Sequence, residues 1–220
     1  VEAAYATYEV PFGAIERPTQ PMTDHEKAKW EVPALRWADL SDATYGLSIL
    51  TDCKHGFDAQ PGQLRLTLLK APLWPDPRCD RGHHHFTYAI YPHPGNWQAA
   101  KTPHCAQALN IPLLAVSPQA PAQVSKSEAL PQEMPASHSF LTLESENCIL
   151  AALKPSETSD QDFVARYYDA YGVVSDIPTP PITYALGLTV TSSLNLLEEP
   201  LVSCPARPYQ IHTVGLTLQP

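Results

Sequence analysis

Proline limits this chain more than any other residue. Twenty-four of the 220 residues are Pro, against nine Gly. A proline ring removes a backbone donor and breaks a helix interior, and in sheets it is confined to strand ends, edges and bulges. A chain punctuated this often suits short strands joined by extended loops. Between the prolines, apolar residues recur at every second position. Leu64, Leu66 and Leu68 alternate with Arg65 and Thr67; Phe86, Tyr88 and Ile90 alternate with Thr87 and Ala89. Tyr184, Leu186, Leu188 and Val190 alternate with Ala185, Gly187 and Thr189. Such alternation predicts strands with one face on a core and the other toward solvent or a smaller layer.

Tyr5–Val10, Tyr45–Thr51, Cys148–Leu153, Phe163–Tyr168 and Tyr209–Leu218 also read as strands. The last changes phase, because Tyr209 and Ile211 share one parity and Val214, Leu216 and Leu218 the other. A bulge near Thr213–Gly215 would absorb that slip. One helix is signalled over His104–Leu109, with Thr102 as cap, Pro103 at the first helical position, and Asn110-Ile111-Pro112 as its end. The predicted class is all-β, built as antiparallel β-sandwiches with at most one or two short helices.

Ser117–Ser137 is rich in Pro, Ala, Ser and Gln and reads as a linker or long surface loop. The expected organisation is 1–116 as part of a large β-sandwich, 117–136 as linker, and 137–220 as a second, smaller sandwich or the completion of the first. The first residue, Val1, leads directly into a strand-like segment with no Met before it, so the chain reads as a piece of a longer one.

Lys plus Arg number 14 and Asp plus Glu 23, a net charge of -9. That balance argues against nucleic acid, which needs clustered cations to neutralise phosphates, and against docking on an anionic membrane. No apolar run approaches a membrane span and no signal peptide opens the chain. Cys53, Cys79, Cys105, Cys148 and Cys204 form no C-x-x-C pair. Odd in number and widely spaced, they read as free thiols in a reducing compartment.

His83, His84 and His85 are the most obvious chemical cluster. On a strand only His83 and His85 would share a face, and Asp76 and Asp80 are the nearby carboxylates, in a Pro-rich loop. Without a third ligand at a compelling spacing, a polar strand entry is the better reading. Glu144 with Glu146, and Glu198 with Glu199, are the paired carboxylates, although acidic residues beside turns are usually solvated. His55, His93, His104, His138 and His212 show no triad order, and Cys53 beside Lys54 is a weak cue for a reactive thiol. Trp74 and Trp97 sit in Pro-rich loops, where they could stack a sugar ring or plug a core edge.

Several ordered blocks carry a resemblance. VPFGAIERPT (Val10–Thr19) is similar to a VPFG-x-x-ERPT strand and loop. KWEVPALRWADLSDATYGLSILTDCKHGFD (Lys29–Asp58) is similar to K-x-E-V…WADLS…YG-x-x-L-L-N-D-x-K-Y-G. The segment LRLTLLKAPLWPDPRCDRGHHHFTYAIYPHPGNW is similar to L-x-L-S-L-L-R-S-P…PDP…D-x-G-x-H-x-F-T-Y-A-L-x-P-H-x-G-x-W. VARYYDAYG, SLNLLEEP and PYQIHTVGL follow. These blocks resemble the C-terminal region of the glycoside hydrolase family 38 α-mannosidases, especially the cytosolic and bacterial branch.

The resemblance implies a zinc-dependent, retaining hydrolase of terminal α-mannosides, in which one carboxylate attacks the sugar and a second carboxyl serves as acid and then base. It also implies that zinc ligands and both carboxylates lie in an N-terminal part. No H-x-D motif occurs here, and no catalytic residue of the family can be placed on a matching position. This chain is therefore expected to be a non-catalytic β domain, its partners its own N-terminal catalytic domain and a mannose-containing oligosaccharide, its compartment the cytoplasm. Apolar surface left open would favour homo-oligomers. Lys70 stands where the family has Arg, Ala71 for its Ser, Thr51 for its Asn and His55 for its Tyr. Lys70 and His84 are the candidate rim residues of a substrate entrance. The alternative function is an independent carbohydrate-binding β-sandwich.

Overall fold

The computed structural model describes residues 1–116, 136–137, 139, 141–143, 145–173, 182–184, 188–201 and 207–218. Antiparallel strands dominate them. β1 (Tyr5–Val10) and β2 (Gly13–Pro18) form a hairpin, and β4 (Trp37–Ser41), β5 (Tyr45–Thr51) and β8 (Tyr88–Pro94) complete a five-stranded sheet in the order β2-β1-β4-β5-β8. A smaller sheet of β3 (Val32–Pro33), β6 (Gly56–Gln60) and β7 (Gln63–Thr67) covers one of its faces. Ala6, Tyr8, Ala38, Leu40 and Ile49 from the first sheet meet Val32 and Phe57 from the second. Leu64 and Leu66 pack on this cluster while Arg65 stays exposed, as their alternation requires.

On the opposite face lies α2, residues Thr102–Asn110. Trp37, Leu50, Trp97 and Ala106 meet Ile149, Tyr168, Ala170 and Tyr171 there, so this cluster joins the N-terminal sheet to the C-terminal one. The C-terminal sheet has the order β10-β11-β14-β13, from Cys148–Pro155, Asp162–Asp169, Ile211–Leu218 and Leu188–Leu194. A short ribbon pairs β9 (Leu141–Leu143) with β12 (Ile182–Tyr184).

Four local expectations are corrected. Thr102 does not cap α2. Lys101 is the cap, in a left-handed conformation with no side-chain cap bond, and Thr102 is the first helical residue, fully buried. The phase slip is not a bulge in β14, which runs in unbroken register against β11. The irregularity lies in β13, between Val190 and Ser192, opposite Gly215, where a Cβ would come within 2.8 Å of Ser192 Oγ. The face of β8 is inverted. Tyr88 and Ile90 are 48% and 64% exposed, whereas Ala89 and Tyr91 pack into the shared core. Finally, the alternation over Tyr184–Val190 belongs to two strands in different sheets, with residues 185–187 outside the described residues.

A second helix, α1 (Asp24–Lys27), was not anticipated. Its signal is the capping box Thr23-Asp24-His25-Glu26, in which the Thr23 hydroxyl accepts from the Glu26 amide and the Glu26 carboxylate accepts from the Thr23 amide. The proposed linker 117–136 lies almost wholly outside the described residues.

Candidate functional site

Lys70 lines a shallow groove of about 400 Å³ between the small sheet and the Pro-rich loop after β7, and His84 meets that groove only through Asp80. Lys70 Nζ lies 3.5 Å from Glu31 Oε2, and the Thr67 hydroxyl donates to Glu31 Oε1 at 2.5 Å. The Thr67 hydrogen bond, with help from Lys70, holds the Glu31 carboxyl below its ordinary range. Asp80 organises the far wall. Its carboxylate accepts from the Ala71 amide at 2.9 Å, which lowers its pKa, and its carbonyl faces His84 Nε2 at 2.8 Å. A carbonyl can only accept, so His84 carries its proton on Nε2 there. His84 thus serves the loop's own structure, while Lys70 remains three-quarters exposed.

The other sequence candidates resolve singly. His83 and His85 are exposed, and among the described residues no three His, Cys, Asp or Glu side chains converge as a metal site. This donor set does not fit zinc, and no zinc-assisted step is assigned to it. Glu146 pairs with Lys101 at 2.6 Å, Glu198 with Lys154 at 2.6 Å, and Glu199 accepts from Asn195 at 2.8 Å. Glu144, His138 and Cys204 lie outside the described residues. The four described cysteines are free thiols. The Cys53 thiol is pushed up by its hydrogen bond to Asp52, the opposite of activation. Trp97 is 7% exposed, with its ring centroid 5.0 Å from that of Trp37 and 5.8 Å from that of Tyr171. It plugs the core, whereas Trp74 stands 84% exposed in the Pro-rich loop.

The chemistry that sequence reading missed is buried. Asp39 on β4, Ser48 on β5 and His93 on β8 sit side by side, because β5 pairs with β4 and β8 on either side. His93 Nε2 lies 2.8 Å from Asp39 Oδ2 and 3.1 Å from Ser48 Oγ. The Ser48 hydroxyl donates to Asp39 Oδ2 at 2.6 Å and lies 3.0 Å from the Thr102 hydroxyl on α2. Ser41 bonds the other Asp39 oxygen. The residue types are those of a hydrolytic triad, but the geometry is not. A triad places Ser and Asp on opposite nitrogens of the imidazole. Here both meet Nε2, and Nδ1 faces the Gly95 carbonyl at 3.1 Å. Asp39 and His93 are 1% and 2% exposed and Ser48 is fully buried, so no substrate reaches them.

This network also explains part of the sequence. WADLS supplies Asp39 and Ser41, YGLS supplies Gly46 and Ser48, and PHPG supplies His93 and Gly95. Gly46 belongs to it through its lack of a side chain. A Cβ there would lie 2.3 Å from His93 Cε1 and 2.4 Å from Ser41 Cβ.

The seam between the two sheets carries its own polar contacts. Arg36 forms an ion pair with Glu9, which is 4% exposed, and donates from Nη2 to the Tyr168 hydroxyl at 3.1 Å. His104 on α2 lies 2.7 Å from the Tyr171 hydroxyl, and burial lowers its pKa.

Comparison with known proteins agrees along the chain. Residues 1–78 match the glycosyl hydrolases family 38 C-terminal domain, and residues 147–214 match the family 38 C-terminal beta sandwich domain. Human alpha-mannosidase 2C1 is 35% identical over 235 aligned residues, covering 100% of this chain and 21% of that protein. An alpha-mannosidase of Saccharomyces cerevisiae is 46% identical over 91 residues, 41% of this chain and 8% of that protein. This chain thus spans about a fifth or less of the length of these relatives. A family 38 structure from Enterococcus faecalis superposes over the whole chain and 25% of its own, with a TM-score of 0.72 at 17% identity, and shares the fold. No described helix is long and apolar enough to cross a membrane. The ordered blocks, the sheets they build and both C-terminal matches agree: the chain belongs to glycoside hydrolase family 38, as C-terminal β structure of its α-mannosidases.

Proposed function

We propose that this chain is a non-catalytic β scaffold of a zinc-dependent, retaining α-mannosidase that removes terminal α-mannosides from oligosaccharides in the cytoplasm. The zinc ligands, the attacking carboxylate and the acid–base carboxyl would be supplied by an N-terminal catalytic domain packed against this one. The observation that carries the reading is the fate of the motif residues. Asp39, Ser48 and His93 are consumed in a sealed contact that ties β4, β5 and β8 to α2. Their polar groups satisfy one another and have none left for a substrate.

Lys70 is the residue this reading places at the rim of the substrate entrance, as a point donor for a sugar hydroxyl. His84 acts beside it by holding the Asp80 loop. Assayed with zinc present, the 220-residue chain should release no mannose from an aryl α-mannoside. Zinc-dependent turnover by this polypeptide would overturn the reading.

The alternative, an independent carbohydrate-binding module, draws on Trp74, whose 84% exposure leaves an indole face free for a pyranose ring. Titration with mannose oligosaccharides separates the two. Saturable binding that disappears in Trp74→Ala would favour the module, and its absence favours the scaffold.

A further inference from the structure

Position 17 departs from the pattern that its hairpin otherwise obeys. β1 and β2 pair with Ala6 opposite Arg17 and Tyr8 opposite Ile15, so these side chains share one face of the sheet. Ala6 and Tyr8 are 0% and 3% exposed in the sandwich core, and Ile15 packs against the same cluster. Arg17 therefore projects from the core-facing row of an edge strand. A cation in that row calls for an anionic partner. Yet its Nε is buried with no hydrogen-bond partner, and its guanidinium has no carboxylate at ion-pair distance among the described residues.

None of the neighbouring carboxylates pairs with it among the described residues. Glu26 accepts from the Met22 and Thr23 amides at 2.8 and 2.9 Å, closing the cap of α1. Asp58 pairs with Arg65 at 2.5 Å. Glu16, one residue before Arg17, belongs to the opposite row of β2 and is exposed. The space that Arg17 enters is a pocket of about 260 Å³, bordered also by Tyr8, Glu16, His25, Glu26, Lys29 and Trp30. Burial pushes the Tyr8 phenol up to about 12, so near neutral pH its hydroxyl stays a donor. Trp30 is 56% exposed, with the Arg65 guanidinium 5.5 Å from its ring centroid.

We propose that Arg17 anchors a binding site for a small carboxylate carrying a flat ring. The guanidinium fork matches the geometry of a carboxylate, and the Tyr8 hydroxyl adds a donor. Lys29 adds a second cation at a mouth that Glu16 and Glu26 also border, and Trp30 takes the ring. The volume falls just below that of common small-molecule pockets, which restricts the ligand to a single ring. This site lies apart from the Lys70 groove and does not depend on the glycosidase reading.

Benzoate is the probe, with acetate as its ringless counterpart and chloride at equal ionic strength as the control. Calorimetry should show saturable benzoate binding, and thermal unfolding should move upward in benzoate relative to chloride. Arg17→Met should abolish the shift and weaken binding at least tenfold. In chloride alone it should unfold no earlier than the parent chain, because Met removes the unpartnered buried Nε while keeping an apolar stem. Trp30→Ala should remove the preference for benzoate over acetate. Three results would each overturn the proposal: no saturable heat with either anion, undiminished binding by Arg17→Met, or early unfolding or misfolding of Arg17→Met in chloride, which would show that the protein itself holds the guanidinium.

Discussion

Each half of the molecule buries one aspartate to the same depth, and each satisfies it differently. Asp39 in the N-terminal sheet and Asp169 in the C-terminal sheet are both 1% exposed. Asp39 is met by side chains, those of His93, Ser48 and Ser41, drawn from neighbouring strands. Asp169 is met by backbone. Its carboxylate accepts from the amides of Tyr171 at 2.9 Å, Gly172 at 3.2 Å and Tyr209 at 3.2 Å, which fixes the exit of β11 against the entry of β14. The first device sets how strands and helix sit together; the second sets how the chain turns. A buried charge held by another ionisable group loses its counter-charge when one partner is removed. A charge held by amides loses hydrogen bonds spread over a loop.

That contrast orders the expected effects. The largest belongs to Asp39→Ala, which strands His93 in the core. Breaking a buried pair in this way costs about 3–5 kcal/mol, a large share of the stability of an ordinary domain. Urea unfolding should show a midpoint lowered accordingly. Gly46→Ala attacks the same network by volume. The new methyl has no room beside the His93 ring and Ser41, and a loss of about 1–3 kcal/mol is expected from forced overpacking. Asp169→Asn should cost about 1–2 kcal/mol, since an amide replaces one accepting oxygen with a donor opposite backbone N–H groups. If Asp169→Asn proved as damaging as Asp39→Ala, the distinction between the two aspartates would collapse.

Acid sharpens the comparison further. Burial holds His104 and His212 below the ordinary histidine pKa, so folding favours their neutral forms. Stability from these groups is present above the unfolded value, about 6.5, and is lost as pH falls toward and through the lower folded values. Stability measured across that range should decline on acidification. Replacing both histidines with Gln should flatten the decline, and an unchanged slope would show that they do not set it. The smallest effect belongs to Lys101→Ala. Its pair with Glu146 is solvent-exposed, so the loss should be the smallest of the series and fade further in salt.

Period-two alternation made most strands legible, because a half-buried strand must segregate its side chains by face. It failed where both faces are covered or where the small residues point inward. On β8 the bulky row of Tyr88 and Ile90 faces out, since the inner space is already taken by Trp97 and α2. Thr102 read as a cap because its side chain suits one, yet its hydroxyl is drawn inward to Ser48. Lys70 and His84 were the rim candidates, and local sequence could not show that His84 serves Asp80. The Asp39–Ser48–His93 contact was out of reach for a different reason. Its members lie up to 54 positions apart and meet only through strand order, which no spacing rule encodes. The capping box of α1, by contrast, stood in plain sequence and went unread.

The claim at the centre is that the motif residues form a structural pin. A double-mutant cycle on Asp39 and His93, read by urea unfolding of Asp39→Ala, His93→Ala and the double variant, tests it most directly. A coupling of at least about 2 kcal/mol is expected for a buried pair of this kind. Near-additive losses would contradict it.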